Sequence, residues 1–220
     1  MSVRIATVIG ATGLIGNELL KLLQQDDHFS TIRLLVRRPF SKTNFKTEVK
    51  LIDFSDPESF KLAVDGSHTV FCTVGTTQKK VAGNKEAYRK VDHDIAVNAA
   101  RYCKATGGSQ FLLVSSVGAN AGSRNFYLRL KGEIEDKIRD RGLRSTSVFR
   151  PSFLVGERDE KRTGEKVVQG LMQGLSFLLP SKYKPIRAEA VAKSMLEAAK
   201  REEPGFHIYE FNQMQPTTGT

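Results

Sequence analysis

The stretch Ile5-Ala6-Thr7-Val8-Ile9-Gly10-Ala11-Thr12-Gly13-Leu14-Ile15-Gly16 decides the fold. An apolar run ends abruptly in three glycines spaced Gly-x-x-Gly-x-x-Gly, and a helical pattern follows at once at Leu14, Ile15, Leu19, Leu20, Leu22 and Leu23. The order strand, tight turn, helix aims backbone N–H groups and the positive end of a helix dipole at one spot, where a pyrophosphate can sit. Gly10 is expected to make the sharp exit from the strand, Gly13 to let the backbone approach phosphate, and Gly16 to let the helix pack closely on the sheet. Gly10, Thr12, Gly13, Leu14 and Ile15 are thus candidates for the pyrophosphate side of a dinucleotide. The competing reading is a tight turn that holds no ligand.

Outward from this turn, short apolar runs alternate with helical patterns. Strands are expected at Ile32 to Val36, Val49 to Ile52, Thr69 to Val74, Phe111 to Val114 and Ser145 to Phe149, and helices at Pro57 to Val64, Lys85 to Thr106 and Asn125 to Arg141. Continuous apolar strands separated by helices imply a parallel sheet covered on both faces, and right-handed crossovers make it doubly wound. The expected fold is α/β and Rossmann-like, a single dinucleotide-binding domain over residues 1–212. Within it, residues from about 151 onward carry Gly156, Gly164, Gly170 and Gly174, a helix from Ala188 to Lys200 and a strand-like piece from His207 to Phe211. They are read as a small C-terminal cap on the substrate side. Residues 213–220 read as a disordered tail.

The composition excludes several classes. The chain has 220 residues, 40% of them hydrophobic, and no apolar run near the roughly 20 residues that span a bilayer. The N-terminus runs straight into a strand, so no signal peptide is expected, and two isolated cysteines suit a reducing cytoplasm. Cys72 and Cys103 lie in apolar patterns without metal spacing and are expected to be buried thiols. His28, His68, His93 and His207 are scattered, so no metal is expected. Lys plus Arg exceed Asp plus Glu by 34 − 24 = 10. That excess invites a nucleic-acid reading, but Lys42, Lys46, Lys50, Lys79, Lys80, Lys182 and Lys184 are dispersed and no nucleic-acid motif accompanies them. The expected partner is a small-molecule substrate, with no specific nucleic acid and no membrane. A protein partner or a homodimer stays open.

The residue that ends the second strand of such a sheet touches the adenosine ribose. An acid there favours a free 2′-hydroxyl, whereas arginine accommodates a 2′-phosphate. This chain has Arg37-Arg38, and a guanidinium grips phosphate with two parallel charge-assisted bonds. NADP(H) is therefore expected ahead of NAD(H). Asp53 ends the third strand, where it can accept from the adenine amino group or cap the helix that starts near Pro57, and Phe54 lies beside it. Gly75-Thr76 ends the fourth strand, where a small residue lets the cofactor pass.

Tyr127 and Lys131 stand at i and i+4, which puts them on one helix face. An ammonium beside a phenol favours the phenolate, and a tyrosine so placed can pass a proton to or from a substrate oxygen as hydride moves. Lys131 can also hold the nicotinamide ribose hydroxyls. Ser115-Ser116 ends a strand facing the same crevice, where a hydroxyl can hold a substrate carbonyl. No Gly-x-Ser-x-Gly elbow and no Gly-Lys-Ser/Thr loop is present.

These features resemble the short-chain dehydrogenase/reductase superfamily, in its extended or atypical branch, through Gly-x-x-Gly-x-x-Gly, Val114-Ser115-Ser116 and Arg150-Pro151. A closer likeness is to the Tat-interacting-protein oxidoreductase family. It rests on Arg37-Arg38, Gly75-Thr76-Thr77, Val91-Asp92-His93-Asp94, Ser115-Ser116-Val117-Gly118-Ala119, Tyr127-Leu128-Arg129-Leu130-Lys131-Gly132-Glu133 and Ser147-Val148-Phe149-Arg150-Pro151, with Arg158 to Glu165 resembling that family's post-strand loop. The resemblance covers about residues 4–200. It implies NADPH held by the glycine turn and Arg37 or Arg38, Tyr127 as acid/base with Lys131 as its partner, and Ser116 rather than Ser115 as the substrate serine. Three departures stand out. The chain starts almost at the first strand, so roles tied to the N-terminal extension of animal members are not carried over. No Tyr-Gly pair follows Ser115-Ser116. Asp92 stands where epimerase-like members often carry asparagine. The reading is an NADP(H)-dependent oxidoreductase acting on a carbonyl or alcohol, with an NADPH-binding regulator of little turnover and a nucleoside-diphosphate-sugar epimerase as alternatives.

Overall fold

A computed structural model describes residues 3–76, 81–155 and 180–215. Its centre is a seven-stranded sheet: β1 (Ile5–Ile9), β2 (Thr31–Val36), β3 (Thr47–Leu51), β4 (Thr69–Cys72), β5 (Gln110–Val114), β6 (Ser145–Phe149) and β9 (Gly205–Tyr209). The spatial order is β3-β2-β1-β4-β5-β6-β9, and every pairing is parallel. The chain starts in the middle, winds out to one edge through β3, then returns to build the other. The reversal falls between β1 and β4, and a doubly wound sheet opens its ligand crevice at that switch point.

Alternation along the strands feeds two cores. Ala6, Val8, Leu34, Phe71, Leu112 and Phe149 face one side, under α1 (Leu14–Gln25) and α6 (Ala188–Arg201). Ile9, Leu35, Val70, Cys72, Phe111, Leu113 and Val148 face the other, under α2 (Pro57–Val64), α4 (Ile95–Ala105) and α5 (Phe126–Arg139). Because both faces are covered, the strands read as continuous apolar runs. α1 shows the helical counterpart, burying Ile15, Leu19, Leu20 and Leu23 at helical spacing. Truncating any one of these to alanine costs about 2–5 kcal/mol.

Local signals fix the helix starts on the second face. Asp56 caps α2 by accepting from Glu58 N–H at 3.1 Å, with Pro57 in the first turn. Asn125 caps α5, accepting from Tyr127 N–H at 2.9 Å and Leu128 N–H at 3.2 Å. The expected helix from Lys85 to Thr106 is interrupted. α3 (Lys85–Arg89) and α4 are joined by a π turn over Lys90–Asp94, which buries Asp92 and His93. Such bulges concentrate at functional sites because the extra residue re-aims side chains.

The segment after residue 151 differs from expectation in part. β7 (Leu154–Val155) and β8 (Ile186–Arg187) form a small parallel pair, but α6 and β9 belong to the main layers. Val191, Ala192 and Met195 pack into the same core as α1, and β9 pairs along β6. Apolar spacing on Ala188–Arg201 is what a second helix on that sheet face requires. The last strand is Gly205–Tyr209, earlier than the expected His207 to Phe211, and Phe211–Met214 turns in a 3-10 helix. Gln213 and Met214 are not tail: Glu210 and Gln213 close a capping box, and Met214 is buried. Thr77, Lys79, Lys80, Gly156, Arg158 to Glu165, Gly164, Gly170, Gly174 and the last five residues lie outside the described residues.

Candidate functional site

Strand order ranks the candidate residues along the C-terminal edge of the sheet. Asp53 and Phe54 follow β3, Arg37 and Arg38 follow β2, the glycine turn follows β1, Gly75 and Thr76 follow β4, and Ser115 and Ser116 follow β5. At roughly 4.8 Å per strand, β2 to β5 spans roughly 14 Å, the scale of an extended dinucleotide.

The glycine turn is a site made by missing side chains. Gly10 sits at φ +97°, and a Cβ there would lie 2.8 Å from the Thr73 carbonyl carbon. A Cβ on Gly16 would lie 2.1 Å from the Gly10 carbonyl oxygen, so only glycine lets α1 seat against the turn. Gly13 donates to Gly10 O at 2.9 Å, is exposed, and forms the N-cap of α1. No side chain caps this helix, and its first turn holds no acidic residue. The N–H groups that begin a helix have no intrahelical acceptor, so the turn fits an anionic diphosphate. Thr12 is exposed and Leu14 half-buried, whereas Ile15 places its side chain in the core and has only its backbone to offer.

Arg37 and Arg38 are exposed, and neither pairs with an acid among the described residues. Asp53 is exposed and does not cap α2, a task taken by Asp56. Its Oδ1 accepts from Ser55 N–H at 2.8 Å and from the Ser55 hydroxyl at 2.7 Å, and these bonds hold the carboxyl below its usual range. Phe54 is half-buried and meets Phe60 edge-on at 4.9 Å. Gly75 is exposed, and among the described residues beyond its chain neighbours only Asp92 Oδ1, at 3.9 Å, lies near where a Cβ would stand.

The two serines part company. Ser115 is buried, and its hydroxyl donates to Glu135 on α5, whose carboxylate also takes Arg150 Nε at 3.1 Å and a second Arg150 nitrogen. Ser116 is half-buried, and its hydroxyl reaches only Val117 O, at 3.4 Å. Geometry thus leaves Ser116 available to a ligand and commits Ser115 to the scaffold.

On α5, Tyr127 is half-buried beside Tyr88, ring centroids 6.4 Å apart, and Lys131 Nζ lies 5.9 Å from the Tyr127 ring centre. Lys131 does more than face the phenol. Its ammonium stands 3.1 Å from Asp92 Oδ1, with the Lys131 side chain 5% exposed and Asp92 1%. Burial opposes the charge of Lys131, but Asp92, with help from Tyr127, outweighs it and raises its pKa above the ordinary value. Asp92 Oδ2 accepts from Thr76 N–H at 2.7 Å, and the Tyr88 hydroxyl donates to Thr76 O at 3.1 Å, its own pKa pushed up by burial. Burial raises the Cys72 thiol to about 11 and Cys103 to about 12, so neither is a thiolate nucleophile near neutral pH.

Three features escape sequence reasoning. Glu135 and Arg150 form a buried clamp, signalled only by a charge at i+4 from Lys131 on an otherwise apolar face. Gly132 lies inside α5, where a Cβ would come 2.1 Å from Ala121 N, so the helix rests directly on the backbone after Ser116. A glycine in mid-helix beside Lys131 is the signal for that approach. The third is the pairing of Asp92 with Lys131, from segments far apart in sequence.

Known proteins resemble the chain in sequence and fold. A family model described as NAD(P)H-binding matches residues 10–202. The chain is 33% identical over 207 residues to the protein FMP52, mitochondrial, of Candida albicans, covering 88% of this chain and 87% of that one. It is 32% identical over 195 residues to the protein HTATIP2 of Rattus norvegicus, covering 86% and 78%. Among solved structures, MoeE5 in complex with UDP-glucuronic acid and NAD matches with a TM-score of 0.74 at 14% identity, covering 94% of this chain and 75% of that one. The structure of gox2253 matches at 0.72 and 23%, covering 94% and 70%. These two likenesses establish the Rossmann-like fold. The FMP52 relatives, including those of Debaryomyces hansenii and Scheffersomyces stipitis, are named mitochondrial. That corrects the cytoplasmic location expected from two isolated cysteines, because buried thiols suit any reducing compartment. With the family model over most of its length and relatives above 30% identity, the chain belongs to the NAD(P)H-binding family that also holds the resemblance to the Tat-interacting proteins.

Proposed function

We propose that the protein is an NADP(H)-dependent oxidoreductase acting on a carbonyl or its alcohol. What supports this reading is an uncapped glycine turn and Ser116 along one sheet edge, together with the Tyr127–Lys131 face of α5. Gly10, Thr12, Gly13 and the amides of Leu14 and Ile15 hold the diphosphate. Arg37 and Arg38 hold a 2′-phosphate, Asp53 and Phe54 flank adenine, and Gly75 and Thr76 let the chain of the cofactor pass. Reduced nicotinamide, when bound, supplies hydride to the carbonyl carbon. Ser116 holds the carbonyl oxygen, and Tyr127 gives it a proton, or takes one from the alcohol in the reverse direction. Lys131 stabilises the charge left on Tyr127 and holds ribose hydroxyls.

The test follows NADPH oxidation against a panel of aldehydes, ketones and quinones, including 4-nitrobenzaldehyde. The Tyr127→Phe variant is expected to lose turnover by roughly a hundredfold or more while calorimetry finds its NADPH affinity little changed. Normal turnover in that variant would refute the assignment of Tyr127. NADPH binding without turnover of any carbonyl favours a cofactor-sensing role instead. The mitochondrial names of the FMP52 relatives support a mitochondrial site of action, which fractionation of the source cells checks.

A further inference from the structure

The buried charges under the site carry one inference more. Lys131 and Asp92 come from elements far apart in the chain and meet almost wholly buried. Taking one such ion out of water costs several kcal/mol, so each can stay charged there only with the other. The groups facing Lys131 are few: Tyr127 on its own helix, Cys72 on β4 and Asp92 on the π turn. Of these, Asp92 is the one carboxylate, and burial keeps Cys72 a thiol. Asp92 Oδ1 stands 3.1 Å from the ammonium and takes no other donor among the described residues. The second oxygen, Oδ2, is fixed by the Thr76 amide on the turn after β4.

We propose that Asp92 is a positioning residue that keeps Lys131 a cation and ties it to the turn after β4, so that one carboxylate sets both the charge beside Tyr127 and its place along the cofactor path. The π turn is what makes this reach: Lys90–Asp94 departs from α-helical spacing, and Asp92 within it is buried against Lys131 on α5 and the Thr76 amide after β4. Asparagine at this position would keep the acceptor for Thr76 N–H but carry no charge. Lys131 would then be a buried amine with no counter-ion, which favours the neutral form. This inference rests on the proposed roles of Tyr127 and Lys131 only in its consequence for rate. The claim about the charge of Lys131 stands without turnover.

The experiment titrates the side-chain carbon signals of lysine in protein carrying 13C-labelled lysine and no cofactor, with Lys131 assigned by loss of its signal in Lys131→Arg. In Asp92→Asn, Lys131 is expected to discharge at clearly lower pH than in the native protein, and Asp92→Glu to restore the native behaviour wholly or in part. A lysine that stays charged over the native range in a folded Asp92→Asn protein overturns the proposal. Should Asp92→Asn fail to fold, Asp92→Glu and Asp92→Ser take its place, the former expected to keep the charge and the latter to lose it. With 4-nitrobenzaldehyde, Asp92→Asn is expected to lower kcat roughly a hundredfold at neutral pH and to change KM for NADPH by less than about threefold. Discharge of Lys131 without any fall in kcat would overturn the rate consequence and, with it, the part assigned to Lys131 in the proposed function, while leaving the charge argument intact.

Discussion

The glycine turn after β1 and the inner face of α5 make opposite kinds of site. At the turn, everything depends on what is absent: Gly10 and Gly16 leave room that a single Cβ would fill, and the start of α1 offers amides with no side chain to occupy them. On α5, everything depends on what is present. Lys131 and Glu135, one turn apart, carry buried charges that are matched by Asp92 from the π turn and Arg150 from the end of β6. The first site lies within twelve residues of chain, Ile5 to Gly16, seated against the backbone at Thr73. The second is assembled from three separate segments, α5, the π turn and the end of β6. The difference predicts different failures: changes at the turn should strike ligand binding, and changes on α5 should strike stability and proton transfer.

The largest effect is expected where a charge is stranded. Lys131→Met leaves Asp92 buried without a counter-ion and should cost about 3–5 kcal/mol, read from urea unfolding. A loss below about 1 kcal/mol would mean that Asp92 is not held as an anion by Lys131, and the contrast would fail. Next comes steric exclusion. Gly16→Ala must push α1 off the Gly10 carbonyl, at about 1–3 kcal/mol, and calorimetry should find NADPH binding lost out of proportion to that destabilisation. Binding unchanged in this variant would place the diphosphate elsewhere.

The third test separates cofactors. Changing Arg37 and Arg38 together to alanine removes charge-assisted bonds to a 2′-phosphate, so NADPH affinity should fall roughly ten- to hundredfold while NADH affinity and unfolding midpoint stay put. Equal native affinity for the two cofactors would refute the role given to these arginines.

The smallest effect comes from the opposite end of the sheet, which serves as a control for both sites. There His28 and His68 gather around Glu202 and Arg4. Burial first, and the Arg4 charge with it, lowers both imidazole pKa values below the usual 6.5. A base whose folded pKa is depressed stabilises the fold above the unfolded value and loses that stabilisation as pH falls through the folded one. Stability should therefore decline as pH drops below about 6.5, and the double change His28→Asn with His68→Asn should flatten that limb while leaving NADPH binding untouched. An identical acid limb in the variant would remove the histidines from the account.

Much of the fold was legible because its signals are local. Apolar runs ended by Gly10, Asp53, Gly75, Ser115 and Arg150 mark strands whose polar ends must converge once the sheet is parallel. Pro57 after Asp56, and Asn125 before an apolar stripe, announce helices that begin within a residue or two of expectation. The segment from Ala188 to Tyr209 was harder. Its apolar spacing says helix and strand, but only the packing of Met195 against the α1 face and the pairing of β9 along β6 say that it completes the main sheet. Met214 was missed for the same reason, since a lone apolar residue in a polar tail has no period to betray its burial.

The residues alone determined a dinucleotide turn, a parallel α/β layer order and a Tyr127–Lys131 face, because each is written within one or two turns of chain. Tertiary structure alone decided that Ser115 serves Glu135 while Ser116 turns to Val117 O, that α5 rests on backbone at Gly132, and that Lys131 meets Asp92. Those outcomes depend on which atoms meet across strands and helices, and on the cost of burying an ion unpaired, which no spacing along the chain records.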